Sequence, residues 1–84
     1  MFRSIDDLRV FVQIYEKKSL TLVAEMNQTS PSMMSKRLTQ IEKEFGARLF
    51  HRSTRSIQHT DEGQRLYAQT LHLLETIDDF EKDW

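Results

Sequence analysis

Ten consecutive residues, Thr29 to Leu38, hold the densest recognition chemistry in this 84-residue chain: Ser30, Ser32, Ser35, two methionines, Lys36 and Arg37, with no acid among them. Ser30 ahead of Pro31 reads as a helix start, a hydroxyl N-cap followed by a proline at the first helical position, where its missing N–H costs nothing. On such a helix end the serine hydroxyls can reach phosphates or base edges. Met33 can touch a thymine methyl, and Lys36 or Arg37 can read guanine O6 and N7. Free N–H groups and the positive dipole end favour phosphate oxygens. The side chains are short enough for close backbone approach to a polyanion. A helix that is merely capped and solvated would carry the same residue types, so composition alone leaves both readings open.

The charge distribution adds to this. The formal net charge of −1 conceals a segregation, because Lys17 to Gln58 holds eight Lys/Arg against three Glu, a balance of +5, while the remainder holds four cations against ten acids, a balance of −6. A basic middle between acidic ends fits a polyanion footprint, although scattered solvated charge is the plainer account. A chain of this length is one domain whose folding buries roughly 60–65% of its surface, so help from a partner subunit is expected. Cysteine is absent, which excludes disulfides and thiolate metal sites and fits a cytoplasmic protein. No run approaches the ~20 apolar residues of a membrane span, and the N-terminus has no signal-peptide pattern.

The elements that must present the cationic helix are legible. Ser4 caps a first helix over Ile5–Lys17, with Asp6 and Asp7 at its positive end and Leu8, Phe11, Val12 and Tyr15 on a buried stripe. Ser19 or Thr21 starts a short second helix, Leu20–Met26, that buries Leu20, Val23 and Ala24. Asn27, Gln28 and Thr29 form a tight turn. The third helix then runs to Phe45 with Gly46 as its C-terminal cap. Met34, Leu38, Ile41 and Phe45 share one stripe; Ser32, Lys36, Thr39 and Lys43 point the other way.

After Gly46 the pattern changes to two short strands, residues 48–52 and 56–59, turned at Ser53, Thr54 and Arg55. Arg52 and Arg55 bracket this turn and could reach a phosphate or a minor groove. Thr60 caps a last helix that nothing stops before Trp84. The fold class is therefore mainly α, a winged helix-turn-helix of three helices and a short hairpin followed by a long helix. The winged unit covers residues 3–60, with the helix-turn-helix at about 20–39 and the wing at about 48–59; the last helix covers 61–84.

In that last helix Leu66, Thr70, Leu73, Ile77, Phe80 and Trp84 step by 4, 3, 4, 3 and 4, a heptad seam expected to meet a partner. Tyr67, Leu71 and Leu74 make a second stripe beside it, so one stripe packs on the chain's own core and the other on the partner. A single broad core-facing surface would give the same pattern.

Taken in order, these residues resemble the LysR-type bacterial transcriptional regulators in their N-terminal DNA-binding domain. The resemblance shows in Leu8-Arg9-Val10-Phe11, Ser19-Leu20-Thr21 with Ala24-Glu25, and Ser30-Pro31-Ser32 with Ser35-Lys36-Arg37-Leu38. It continues through Ile41-Glu42-Lys43-Glu44-Phe45-Gly46-Ala47-Arg48-Leu49-Phe50, Arg52-Ser53-Thr54-Arg55-Ser56 and Thr60-Asp61-Glu62-Gly63. It implies sequence-specific binding of double-stranded DNA by a homodimer controlling transcription, with the third helix in the major groove and the wing at the adjacent minor groove. Carried over by residue, Ser30, Pro31, Ser32, Met33, Ser35 and Lys36 lie near bases; Thr21, Arg37, Arg52, Thr54 and Arg55 contact the backbone or minor groove. The last helix becomes a linker paired between subunits. It leads to an effector domain that this sequence lacks, through which alone a small-molecule effector would act and a tetramer could form. The implied location is the cytoplasm, at the nucleoid. The sequence departs from the family pattern at Asn27 and His59, where Leu is usual, at Thr29, usually apolar, and at Pro31, where some members carry Gln.

No catalytic, cofactor or metal constellation competes with this reading. His51, His59 and His72 are scattered, and Gly63 fits close packing of the last helix better than a phosphate loop. The remaining alternative is a winged-helix interaction or dimerisation module that uses its apolar last helix and does not bind DNA.

Overall fold

The computed structural model of the chain describes residues 4–53 and 56–84. Its elements run α1 (Ile5–Lys17), α2 (Leu20–Met26), α3 (Pro31–Phe45), β1 (Phe50–Arg52), β2 (Ile57–His59) and α4 (Asp61–Lys82). Each helix start has the hydroxyl cap its sequence calls for: Ser4, Ser19, Ser30 and Thr60 accept the N–H of Asp7, Leu22, Met33 and Gly63 respectively. At the other end of α3, Gly46 takes φ +68°, a left-handed conformation that glycine adopts without a Cβ penalty.

Helix α1 is the hub. Leu8, Val10, Phe11 and Ile14 are fully buried, and Val12 and Tyr15 are half-buried. This is a wider face than the stripe of Leu8, Phe11, Val12 and Tyr15 predicts, because α2 packs on one side of α1 and α4 on another. Val23 and Ala24 of α2 close on Met34, Leu38 and Ile41 of α3 within the same core. The turn between them is tied by Thr29 N–H to Ala24 O at 2.9 Å and by the Asn27 side-chain amide, which donates to Gln13 Oε1 at 2.9 Å and Val23 O at 2.7 Å. Asn27, where the family pattern has an apolar residue, thus ties the turn to α1 through Gln13 and to the end of α2 through Val23.

The hairpin is antiparallel with Phe50 opposite His59 and Arg52 opposite Ile57, and it turns Phe50 and Ile57 into the core. Both strands are shorter than the sequence predicts. Thr60 N–H still donates across the hairpin to Leu49 O at 3.0 Å, but Leu49 N–H is taken by a side chain, so the pair makes only one of its two ladder bonds and the first strand begins at Phe50. Helix α4 then leaves the hairpin across α1. Tyr67 stacks on Tyr15 at 3.8 Å between ring centroids, and Tyr15 stacks in turn on His59 at 4.6 Å. The Tyr67 hydroxyl donates to Glu16, and that hydrogen bond, with burial and the Glu16 charge behind it, pushes its pKa up to about 12.

Gly63 sits where α4 crosses the strand entry. A methyl added there would lie 2.2 Å from the Leu49 carbonyl oxygen, a backbone atom that cannot swing away. Gly63→Ala is expected to cost about 1–3 kcal/mol as an overpacked contact. Thermal unfolding should show a Tm lowered by about 4–8 °C per kcal/mol in a chain of this size. An unchanged Tm would show that α4 shifts freely on the hairpin.

Candidate nucleic-acid interface

The outward face of α3 is polar and uncovered. Ser30, Pro31, Ser32, Met33, Lys36, Thr39, Gln40 and Lys43 are all exposed, while Met34, Leu38 and Ile41 on the opposite face are within 1% of complete burial. The helix is thus held by its apolar side and shows its small, cationic side to solvent. Met33 is 55% exposed, unusual for a large apolar side chain beside a packed core. Thr21, in the first turn of α2, is exposed as well.

At the tip of α3 the hydrogen-bonding capacity can be counted. Pro31 has no N–H, Met33 N–H goes to Ser30 Oγ at 3.2 Å, and Met34 N–H goes to Ser30 O at 3.0 Å. The N–H groups of Ser30 and Ser32 have no partner among the described residues. Free N–H groups are predicted at this end; the cap and the proline leave two of them, on Ser30 and Ser32. The Ser30 and Ser32 hydroxyls lie 3.2 Å apart, sharing a hydrogen bond at the surface.

Arg52 is not the free wing cation that the sequence predicts. Its guanidinium turns back onto α3. Nη1 donates to Ser35 Oγ at 3.1 Å, and Nη2 donates to Thr39 Oγ1 at 3.1 Å and to Glu42 Oε1. Its side chain is only 21% exposed, and its Nε is buried without a partner. This side chain straps the wing to the helix. One effect falls on Ser35, which is half-buried: its oxygen accepts from Arg52, so its own O–H remains available as a donor. Arg37 is likewise held, with Nε 3.0 Å from Asp7 Oδ1 on α1. Thr54 and Arg55 lie outside the described residues.

Sequence reasoning overlooked Glu42. It is 6% exposed, yet its carboxylate is fully used: Oε2 accepts the N–H groups of Leu49 at 2.8 Å and Phe50 at 3.2 Å, with Arg48 Nε at 3.6 Å, and Oε1 takes Arg52. Its place four residues after Leu38, at the edge of the apolar stripe, was a signal that it points inward. What it would find there was not readable, because the partners come from a different element.

The last helix divides the predicted seam. Leu66 is half-buried against the core and Thr70 is 2% exposed, so Thr70 is corrected from a partner-facing to a core-facing residue: α4 turns it toward α1, out of a partner's reach. Leu74, from the other stripe, is also buried, and Ile77 is half-buried. Only Leu73, Phe80 and Trp84 stand exposed, the last two at 65% and 92%.

An outward polar helix, a tight turn and a strapped hairpin define a winged helix-turn-helix domain. A family model described as bacterial regulatory helix-turn-helix protein, lysR family, matches residues 5–64. The chain is 35% identical over 84% of its length to the probable HTH-type transcriptional regulator LtrA of Klebsiella pneumoniae, and 34% identical over 87% to the HTH-type transcriptional regulator DmlR of Escherichia coli strain K12. Its fold superposes with a TM-score of 0.86 on the crystal structure of the BenM_DBD/catB site 1 DNA complex, at 28% identity, covering 95% of this chain and 89% of that one. The chain belongs to the lysR family of bacterial regulatory helix-turn-helix proteins. It spans about a quarter of the length of the curated relatives it matches, 23% of LtrA and 24% of DmlR.

Removing Glu42 should loosen the wing from α3. Glu42→Ala leaves Arg52 buried beside unpaired N–H groups and is expected to cost about 3–5 kcal/mol, the usual effect of breaking a buried pair. Denaturant titration followed by circular dichroism measures this. A loss below about 1 kcal/mol would mean that solvent replaces the carboxylate.

Proposed function

We propose that this chain binds double-stranded DNA sequence-specifically as the DNA-binding part of a LysR-type transcription regulator, working as a homodimer. The observation that carries the reading is the exposure of Ser32 and Lys36 on one face of α3, directly opposite the buried Met34, Leu38 and Ile41. A helix held in this way can enter a major groove, where side chains near its N-terminus reach base edges. In that arrangement Ser30, Pro31, Ser32, Met33, Ser35 and Lys36 face bases, with Lys36 suited to guanine O6/N7 and Ser35 offering a donor to an acceptor on base or phosphate. Thr21 and Arg37 flank the groove. Thr54 and Arg55 are assigned to the backbone or minor groove from their place in the sequence. Arg52 serves by holding Ser35 and the wing.

The BenM_DBD structure on which this fold superposes is itself a complex with DNA, which supports this reading. The exposed end of α4, with Leu73, Phe80 and Trp84, supports pairing with a second copy: a heptad stripe whose first half packs inward would leave this half to the partner.

Two experiments test the reading. Duplex binding should weaken by about ten-fold or more between ~50 and ~200 mM salt, since counterions released from phosphates drive much of it. On a duplex obtained by binding-site selection, Lys36→Ala or Ser32→Ala should relax preference at a base position by about 1–3 kcal/mol, whereas Arg55→Ala should weaken all duplexes alike. Equal losses on every sequence from all three would refute this division of roles. For the dimer, sedimentation equilibrium on a Phe80→Ser, Trp84→Ser variant should show a shift toward monomer; unchanged association would move the interface elsewhere.

A further inference from the structure

Arg37 has a feature that its neighbour Lys36 lacks. It follows Ser32 by five positions, about 140° around the helix from the outward line, which puts it on the edge of α3 nearest α1. There Nε donates to Asp7 Oδ1 at 3.0 Å, with the Asp7 side chain 17% exposed and that of Arg37 37%. A guanidinium has five N–H donors in a rigid plane. Asp7 takes the one on Nε. The four on Nη1 and Nη2 have no acceptor among the described residues.

Asp7 is itself well anchored. It lies in the first turn of α1, its N–H is donated to Ser4 Oγ, and the next residue, Leu8, is buried in the core. The plane of the guanidinium is therefore fixed from behind by a packed helix, while its terminal edge stays open. Arg37 also lines, with Lys36, Met33 and Gln40 of α3 and Asn27 and Thr29 of the turn, a shallow groove of about 460 Å³. Two cations border this groove, and no acid lines it.

We propose that Asp7 is a positioning residue for DNA binding: it holds Arg37 by Nε so that the two terminal amino groups form a fixed fork for the oxygens of one backbone phosphate. The proposal rests on the DNA-binding reading above. A phosphate, not a base, is the partner, because Arg37 stands at the flank of the outward face, where a groove-seated helix meets the strand bordering the groove. The paired terminal N–H groups match phosphate oxygens bidentately, and the bond to Asp7 need not break for this to happen. Prior fixing by Asp7 also removes much of the side-chain freedom that a loose arginine loses on contact.

Fluorescence anisotropy with the whole chain tests the idea, on the selected duplex and on a random one, across a salt series. Arg37→Gln should weaken both duplexes by a similar factor, about five-fold, and flatten the log–log salt slope by about 0.9 per subunit. Asp7→Asn should weaken both by about three-fold with the slope unchanged, because the cation remains, and Asp7→Glu should restore most of the loss. Arg37→Lys, which keeps the charge but not the fork, should behave like Asp7→Asn. In an Arg37→Gln background, Asp7→Asn should cause no further weakening.

Equal or tighter binding by Asp7→Asn with Arg37 present would overturn the proposal, since Asp7 would then ignore or withhold the arginine. A loss from Asp7→Asn that persists without Arg37 would also overturn it, as an effect of helix packing alone. Arg37→Lys decides the matter even if the Asp7 variants fold poorly: wild-type affinity there removes the need for a fork. Failure of the wild-type chain to bind any duplex would remove the DNA reading itself. Wild-type binding with indifferent variants would remove only the role of Asp7.

Discussion

One buried carboxylate sets the relation between the two parts of this molecule that face outward together. Glu42 lies on α3 and accepts the N–H groups at the entry to the hairpin while pairing with Arg52 on its first strand. Apolar contact between helix and hairpin has no direction and would tolerate sliding. A carboxylate with two N–H donors and a guanidinium does not, because displacement leaves charged and polar groups buried and unpaired. The register of the wing on the helix follows from this, and so does the orientation of Ser35, whose oxygen is reached by the same arginine.

The second constraint runs through α1. Its inner face carries Phe11 and Ile14 into the helix-turn-helix core, and its other flank carries Tyr15 into a stack between His59 of the hairpin and Tyr67 of α4. Arg9 adds an exposed ion pair to Asp78 further along α4, at 3.3 Å. Because α3 and α4 both pack on a common body, the direction of α4 fixes where α3 stands relative to it. In a dimer joined through α4 the separation of the two α3 helices would then be a property of the fold. Paired helix-turn-helix units on DNA need this, since half-sites recur about one helical turn, ~34–36 Å, apart or at multiples of that distance.

Much of the fold could be read from local chemistry, and what escaped was non-local. The four hydroxyl caps, Pro31 at its helix start and Gly46 at its helix end each rest on contacts within a few residues, so helix boundaries followed from the chain itself. The apolar stripe of α3 was equally plain, because 3.6-residue periodicity needs no knowledge of the partner. The burial of Val10 and Ile14 was not plain, since it depends on a second element covering α1 from another side. Arg52 and Glu42, ten residues apart and on different elements, look separately like a surface cation and a surface acid. Only the hairpin fold brings them together. Thr70 misled for a related reason: a heptad pattern records which residues share a face, not which way that face is turned.

The pairing of charges also explains how a chain with net charge −1 can present a basic surface. Glu42 and Asp7 hold Arg52 and Arg37 from the protein side, at the edges of α3, and Asp78 pairs with Arg9 on the far side. Lys36 and Lys43 on the outward face enter no ion pair among the described residues. Some acids are thus used to orient a cation or hold an element, and others, such as Asp79, Glu81 and Asp83, lie toward the distal end of α4. What a polyanion meets is a local field, set within about 8–10 Å at ordinary ionic strength, and not the total charge. Among the described residues that field comes from Lys36, Lys43 and the open edge of Arg37.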